Sequence, residues 1–264
     1  MPGRDLDILI SAAHQAGDIA KRFFKANPQV WDKADGAGPV TQADLAVNDA
    51  WAASLQSARP DYGWLSEESD NNATRLGCEH VFILDPIDGT RAFIDGSKDW
   101  AHSLAVARQG VVIAAVVYLP MVDMLFTAER GRGAQLNGTA INVSPQSTPD
   151  GATILATKNN FNSQHWPGGL PHGLKRTFRS SLAYRLCLVG QGKFDGMITL
   201  RPTWEWDIAA GQLIVEQAGG TVTTQRGQSP LYNNPTPRID GVVAAPGALH
   251  HGLIQGLYPR QQKD

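Results

Sequence analysis

The apolar positions at the start of the chain recur with a helical period. Leu6, Leu9, Ile10, Ala13, Ala20 and Phe24 fall on one face, which predicts an amphipathic helix running to about Phe24, its apolar face turned to the core. Residues 33–41, KADGAGPVT, break that period with small flexible positions and Pro39, and read as a loop. A second helix is expected from 44 to about 57, burying Ala46, Val47, Ala50 and Leu55.

The period then changes. Val81-Phe82-Ile83-Leu84 is an unbroken apolar run that ends at Asp85-Pro86, the mark of a buried strand that stops where charge begins. Residues 103–108, the Gln109-Gly110 turn and residues 111–119 predict a hairpin, continued by 124–128 and the turn at Leu136-Asn137-Gly138. The first half therefore reads as two helices and an antiparallel meander. In the second half, strands at 153–157, 194–200, 221–224 and 241–245 are interleaved with helical stretches near 181–191, 207–218 and 247–256. That rhythm predicts a smaller α/β layer. The division is expected near 145–151, with an α+β part over 1–147 and an α/β part over 148–264. There is no internal repeat.

A length of 264 residues suits one large domain or two small ones that share a core. With 42% hydrophobic and 18% charged residues, long disorder is excluded. A net charge of −2 and no basic patch make nucleic acid an unexpected partner. Slight acidity is compatible with a phosphorylated substrate, because bound cations reverse the local potential. Cys78 and Cys187 form no paired motif, so a disulfide framework and a zinc knuckle are both unexpected, and a reducing cytoplasm is the expected location. Asp5 and Asp7 stand where a signal peptide would be apolar, and no apolar run approaches the ~20 residues of a membrane helix. No membrane partner is expected.

The chemistry centres on DPIDGT at 85–90. Two carboxylates three residues apart follow a buried strand. Pro86 fixes one torsion, and Gly89 permits a tight turn. Such a segment can aim two carboxylates and a backbone carbonyl at one point, which is what a hard divalent cation needs. Asp-Pro and Asp-Gly are also ordinary turn dipeptides. Glu67 and Glu68, taken alone, read as a solvated acidic face. Asp207, taken alone, reads as the N-cap of a helix that ends at Gly219-Gly220. Seven histidines are scattered, with His250-His251 expected on a surface helix, and no Ser, Cys and His are arranged as a triad.

Read together, VTQAD at 40–44, SEES at 66–69, DPIDGT at 85–90 and WDIAAG at 206–211, the last continuing through LIVEQAGG at 213–220, resemble the inositol monophosphatase superfamily. The resemblance spans about residues 6–256. It implies a layered αβαβα sandwich of the sugar-phosphatase type, lithium sensitivity, Mg²⁺ as cofactor with two or three ions per active site, a small phosphorylated metabolite as partner, and a homodimer. It implies Glu67, Asp85 and the Ile87 carbonyl as ligands of one ion, and Asp85, Asp88 and Asp207 as ligands of a second. Glu67, Asp44 and Thr90 are then catalytic, with Asp44 and Thr90 orienting the attacking water. Asp88, Gly89 and Thr90 meet the phosphate, and Lys33 resembles a lysine on the loop before the site. Phosphoryl transfer rewards positioning and charge neutralisation, so no side-chain nucleophile is required.

Three branches of that superfamily compete for the substrate. Inositol-specific members place a glutamate on the strand ahead of WD. Here Met197-Ile198-Thr199-Leu200-Arg201-Pro202 carries no acid, Thr199 falls nearest the expected place, and Glu205 sits beside Trp206. The stretch from Ser181 to Val189, Pro202-Thr203, WLSEES at 64–69 and Arg91-Ala92-Phe93 look more like the 3'(2'),5'-bisphosphate nucleotidase branch. Ser181, Arg91 and Arg201 are then expected at the substrate. The two arginines are candidates for a second phosphate, or else for surface ion pairs. Trp100, Trp204 and Trp206 flank the acidic motifs, as packing walls or as a platform for adenine. The expected reaction is loss of the 3'-phosphate of adenosine 3',5'-bisphosphate, with inositol-1-phosphate and then histidinol phosphate as alternatives. Some superfamily members also act as binding partners in RNA metabolism; the intact acidic set argues for an enzyme.

Overall fold

A computed structural model describes residues 4–33 and 38–258. Five layers stack on one another. The first holds α1 (Asp5–Phe23) and α2 (Gln42–Ala58). Leu9, Ala12, Ala13, Ala16 and Ala20 give α1 a narrow apolar face, which lets α2 lie close; Trp51 of α2 donates its ring N–H to the Ala12 carbonyl at 2.9 Å. Between the helices, β1 (Val30–Asp32) and β2 (Pro39–Thr41) pair antiparallel.

The second layer is a sheet of seven strands in sequential order: β3 (Gly63–Ser66), β4 (His80–Asp88), β5 (Ala101–Arg108), β6 (Val111–Leu119), β7 (Met124–Glu129), β8 (Ala134–Leu136) and β9 (Thr139–Ala140). Only the β3–β4 pairing is parallel. A short helix, α3 (Thr90–Ile94), follows β4. The third layer is α4 (Leu182–Gly190) and α5 (Glu205–Gln217). Every residue of α4 is buried, as a helix between two sheets must be. The fourth layer is a five-stranded sheet in the order β11-β10-β12-β14-β13, formed by β10 (Thr153–Ala156), β11 (Lys175–Thr177), β12 (Gly196–Trp204), β13 (Gly220–Thr223) and β14 (Arg238–Pro246). The last is α6 (Gly247–Leu257). Apolar side chains fill each interface: α1 and α2 against the large sheet, α4 and α5 between the sheets, and α6 against the small sheet. This is the layered αβαβα sandwich that the sequence implied.

Four sequence expectations change. Residues 39–41 are a strand, not loop, because they close a hairpin with β1; residues 34–37 lie outside the described residues. β4 does not stop at Asp85 but runs to Asp88 through an irregularity in its pairing with β5. Asp207 is the third residue of α5, with Trp204 in the capping place. His250 is buried, sharing a 2.8 Å hydrogen bond with Thr223 Oγ1, so only His251 faces solvent on α6. No helix among the described residues is long and apolar enough to cross a membrane, and both cysteines are free.

Candidate active site

The irregularity in β4 creates the site. Side chains three residues apart on a regular strand point to opposite faces. Here Asp85 pairs with Ser103, and Asp88 pairs with Ala101, so three steps on β4 span two on β5. The extra residue is a β-bulge, and it returns Asp85 and Asp88 to the same face. On that face Ser103 donates its hydroxyl to the Trp206 carbonyl at 2.9 Å, tying the start of α5 to the sheet. Asp207 comes from that first turn. Glu67 comes from the end of β3, where its N–H donates to the Leu84 carbonyl at 3.1 Å.

Glu67, Asp85 and Asp207 each present one carboxylate oxygen, all within 4.8 Å of one another. Asp85 Oδ1 is buried and has no hydrogen-bond partner. Burial, and then the charges of Glu67, Asp88 and Asp207, push the Asp85 carboxyl well above its ordinary range. Burial, Asp88 and Glu67 do the same to Asp207. Like charges crowded around a buried orphan oxygen are unfavourable unless a cation joins them. The donor set is all oxygen, so it fits a hard divalent ion.

Asp88 stands beside this set and is held from the third layer. Its Oδ2 accepts from Ser181 Oγ and from the Ala183 N–H, both at 2.6 Å. Burial lifts its pKa to about 6, against the pull of those bonds. Ser181 caps α4, accepting from the Tyr184 N–H at 2.9 Å. Its hydroxyl thus makes two bonds within the protein, donating to Asp88 and accepting from Tyr184.

Thr90 opens α3 and is buried. Its hydroxyl lies 3.3 Å from Asp44 Oδ1 and 3.1 Å from the Ile87 carbonyl. Asp44 is fully buried, and burial raises its pKa to about 6. Its other oxygen accepts from the Thr41 N–H at 2.8 Å and from the Thr41 hydroxyl, closing a capping box on α2. Gly89 has φ 100°, and a Cβ there would stand 3.2 Å from the Asp99 carbonyl, so the sharp entry into α3 suits glycine alone. Lys33 bridges Glu67 at 2.6 Å and Glu68 at 2.7 Å. Burial opposes its charge, but the two glutamates hold its pKa above the usual lysine value. Burial and Glu67 push Glu68 up to about 7. Lys33 thus sits on the acidic pair, at the edge of the carboxylate set.

The expected specificity residues divide. Arg91 is exposed on α3. Arg201 is exposed on β12, close enough for its charge to act on Asp207 and on Arg185. Arg185 belongs to none of the sequence motifs. It is a buried guanidinium on α4 whose charge reaches Asp88 and Asp207. It donates to the Arg179 and Ser180 carbonyls and lies over the Phe178 ring. Burial draws its pKa down to about 10. A lone charge inside LAYRLCLVG was the available signal. Glu205 is fully buried, accepting from the Asn233 N–H at 2.6 Å and from the Asn234 N–H and side-chain amide at 2.9 and 2.7 Å. Trp204 lies between Trp206, stacked at 4.8 Å, and Arg238 at 3.8 Å, so both its faces are covered. Trp100 is buried against Phe24, Phe93 and His102.

The family description that matches is the inositol monophosphatase family, over residues 4–262. The chain belongs to the inositol monophosphatase family. It is 32% identical to an inositol-1-monophosphatase of Mesorhizobium japonicum, over 96% of this chain and 95% of that protein. It is 30% identical to a histidinol-phosphatase of Chlorobaculum parvum, over 96% of each. Among solved structures it resembles the extragenic suppressor protein suhB from Bartonella henselae, with a TM-score of 0.81 and 30% identity over 96% of this chain and 98% of that one. As a member of the inositol monophosphatase family, the chain is a metal-dependent phosphomonoester hydrolase acting on a small phosphorylated substrate. Mg²⁺ is the general cofactor of that family, and the acidic set is where this chain could hold a metal ion.

Proposed function

We propose that this phosphatase acts on a small phosphomonoester that carries a second anionic group, with adenosine 3',5'-bisphosphate as the candidate and removal of its 3'-phosphate as the reaction. The carrying observation for the chemistry is the convergence of Glu67, Asp85 and Asp207 within 4.8 Å around the unpartnered Asp85 Oδ1. In this reading those residues, with Asp88 and the Ile87 carbonyl, hold two or three Mg²⁺ ions. The bound cations supply neutralisation of phosphate charge and ease deprotonation of water. The protein does the positioning. Thr90 Oγ1 has one proton to donate, towards Asp44 or Ile87, which leaves its lone pairs to accept from the attacking water and aim it. The Gly89 and Thr90 amides begin α3, where N–H groups have no intrahelical acceptor, and so can receive phosphate oxygens. Asp44, with a pKa of about 6, is mostly ionised near neutral pH and keeps Thr90 oriented.

The substrate preference is supported by what lines the other side. β12 offers no carboxylate between Met197 and Pro202, and Glu205 is spent on Asn233 and Asn234, so no acid is free there to hold a polyol. Arg201 and Arg185 supply positive charge beside Asp207 and Asp88. Guanidinium groups suit a second phosphate. The names of the relatives favour a second reading, inositol-1-phosphate. Phosphate release under Mg²⁺ from adenosine 3',5'-bisphosphate, inositol-1-phosphate and histidinol phosphate at equal concentration decides between them. The proposal expects the bisphosphate to lead about tenfold, which is about 1.4 kcal/mol of transition-state discrimination, and the lead to shrink in Arg201→Ala. A lead for inositol-1-phosphate overturns it. The same proposal carries lithium inhibition, a cytoplasmic homodimer, and a division of the chain near residue 147 into an α+β part and an α/β part.

A further inference from the structure

His102 lies on β5 between Ala101 and Ser103, the two residues that pair with Asp88 and Asp85. It is therefore opposite the extra residue of the bulge. Its side chain points away from the carboxylates, towards the first layer. There it is fully buried, with the rings of Trp100, Trp51 and Tyr118 at 5.4, 5.9 and 6.4 Å. Nothing in the reaction uses it. Yet its Nδ1 is hydrogen-bonded to the Pro86 carbonyl, in the middle of the bulge. A carbonyl only accepts, so Nδ1 carries the proton. Nε2 is buried without a partner, as an unprotonated nitrogen in an apolar cage. Burial draws the imidazole pKa down to about 4, so the ring is neutral and this donation is constant across the working range of pH.

The bulge needs such a support. Pro86 has no N–H to give to the ladder, and a bulge interrupts the pairing around it. Asp85 and Asp88 are both buried and repel each other, so the segment is under an electrostatic load. A small rotation at Pro86 would turn Asp85, the Ile87 carbonyl and Asp88 apart. A ring that only filled space would be as well served by leucine or phenylalanine. The bond to Pro86 is what an apolar residue cannot make.

We propose that His102 is a positioning residue for the cation site, its Nδ1–H holding the Pro86 carbonyl so that Asp85, Ile87 and Asp88 stay aimed at one point. This rests on those three being ligands, and the test separates the two ideas. Mg²⁺ binding to the full chain is measured by calorimetry for the native protein, Asp88→Asn, His102→Leu and His102→Asn. Asparagine can place an amide donor where Nδ1 stands; leucine cannot. His102→Leu is expected to weaken Mg²⁺ binding about tenfold or more, and His102→Asn to restore most of it. If Asp88→Asn weakens binding while His102→Leu does not, the positioning role is wrong and the ligand reading stands. If Leu and Asn weaken binding alike, the donor is irrelevant and the proposal fails. If Asp88→Asn binds as the native protein does, the ligand reading falls and takes this inference with it. Should His102→Leu not fold, nitrogen NMR of labelled histidine in the native protein replaces it. The His102 Nδ1 resonance is expected to be that of a protonated nitrogen and to move with Mg²⁺ along the binding curve; a resonance that ignores Mg²⁺ overturns the proposal.

Discussion

Thr90 Oγ1 lies 3.3 Å from Asp44 Oδ1, while the second oxygen of Asp44 closes the cap of α2. The start of a helix in the first layer and the hydroxyl at the centre of the site are therefore held by one carboxylate. Thr90→Val keeps the volume and removes the hydroxyl. We expect kcat to fall about 10²-fold or more with Mg²⁺ affinity nearly unchanged, and the melting temperature to drop by about a few degrees because the buried Asp44 Oδ1 loses a partner. Thr90→Ser should recover most of the rate. Steady-state kinetics with a thermal melt of each variant checks this.

The buried carboxyls make stability depend on pH when no cation is present. The folded pKa values of Asp88 and Asp44 are raised to about 6, so the native state holds protons that the unfolded chain has released. Their stabilising effect is full below the ordinary value of 3.8 and is lost as pH rises through about 6. Melting in EDTA should therefore be lower at neutral pH than near pH 4.5, by about several degrees. Saturating Mg²⁺ should remove the decline, because the ion binds the ionised form.

Ser181 holds Asp88 at 2.6 Å and is expected to act through it. Ser181→Ala should weaken Mg²⁺ binding, by up to about tenfold, and leave KM for the phosphate ester unchanged at saturating Mg²⁺. A higher KM at saturating Mg²⁺ would return Ser181 to the substrate. Calorimetry and kinetics on one variant separate the two.

Glu205 accepts three N–H bonds in full burial. Glu205→Ala strands those donors and should cost about 2–3 kcal/mol of stability, read by denaturant unfolding. KM should not change for any of the three phosphate esters. A KM rise confined to inositol-1-phosphate would mean that this carboxylate reaches the site after all.

Much of this was legible in the residues, and the failures share a cause. Helical period located α1 and α2 to within a residue or two at most ends, and the apolar run found β4. The end of β4 was misread because Asp85-Pro86 has the form of a turn. Whether such a segment turns or bulges depends on β5, which lies well downstream. The bond from Ser181 to Asp88 joins residues 93 apart, a pairing that local spacing does not reveal. Lys33 was placed on a loop near the site; that Glu67 and Glu68 would hold it is again a tertiary fact. His102 carried no motif, and its bond to Pro86 exists only once β5 is laid beside the bulge. The acidic set itself was visible through its motifs, since each carboxylate ends or begins an element the sequence marks.

A cation held by Glu67, Asp85 and Asp207 is the centre of the reaction proposed for this chain. The most direct measurement is phosphate release by the purified chain with Mg²⁺, with Mg²⁺ removed by EDTA, and in Asp207→Asn, whose volume and helix position are preserved. Release is expected to be lost in EDTA, restored by added Mg²⁺, and lower by about 10³-fold or more in Asp207→Asn with the protein still folded. Release that persists undiminished in EDTA, or in folded Asp207→Asn, would contradict a cation at the centre of the reaction.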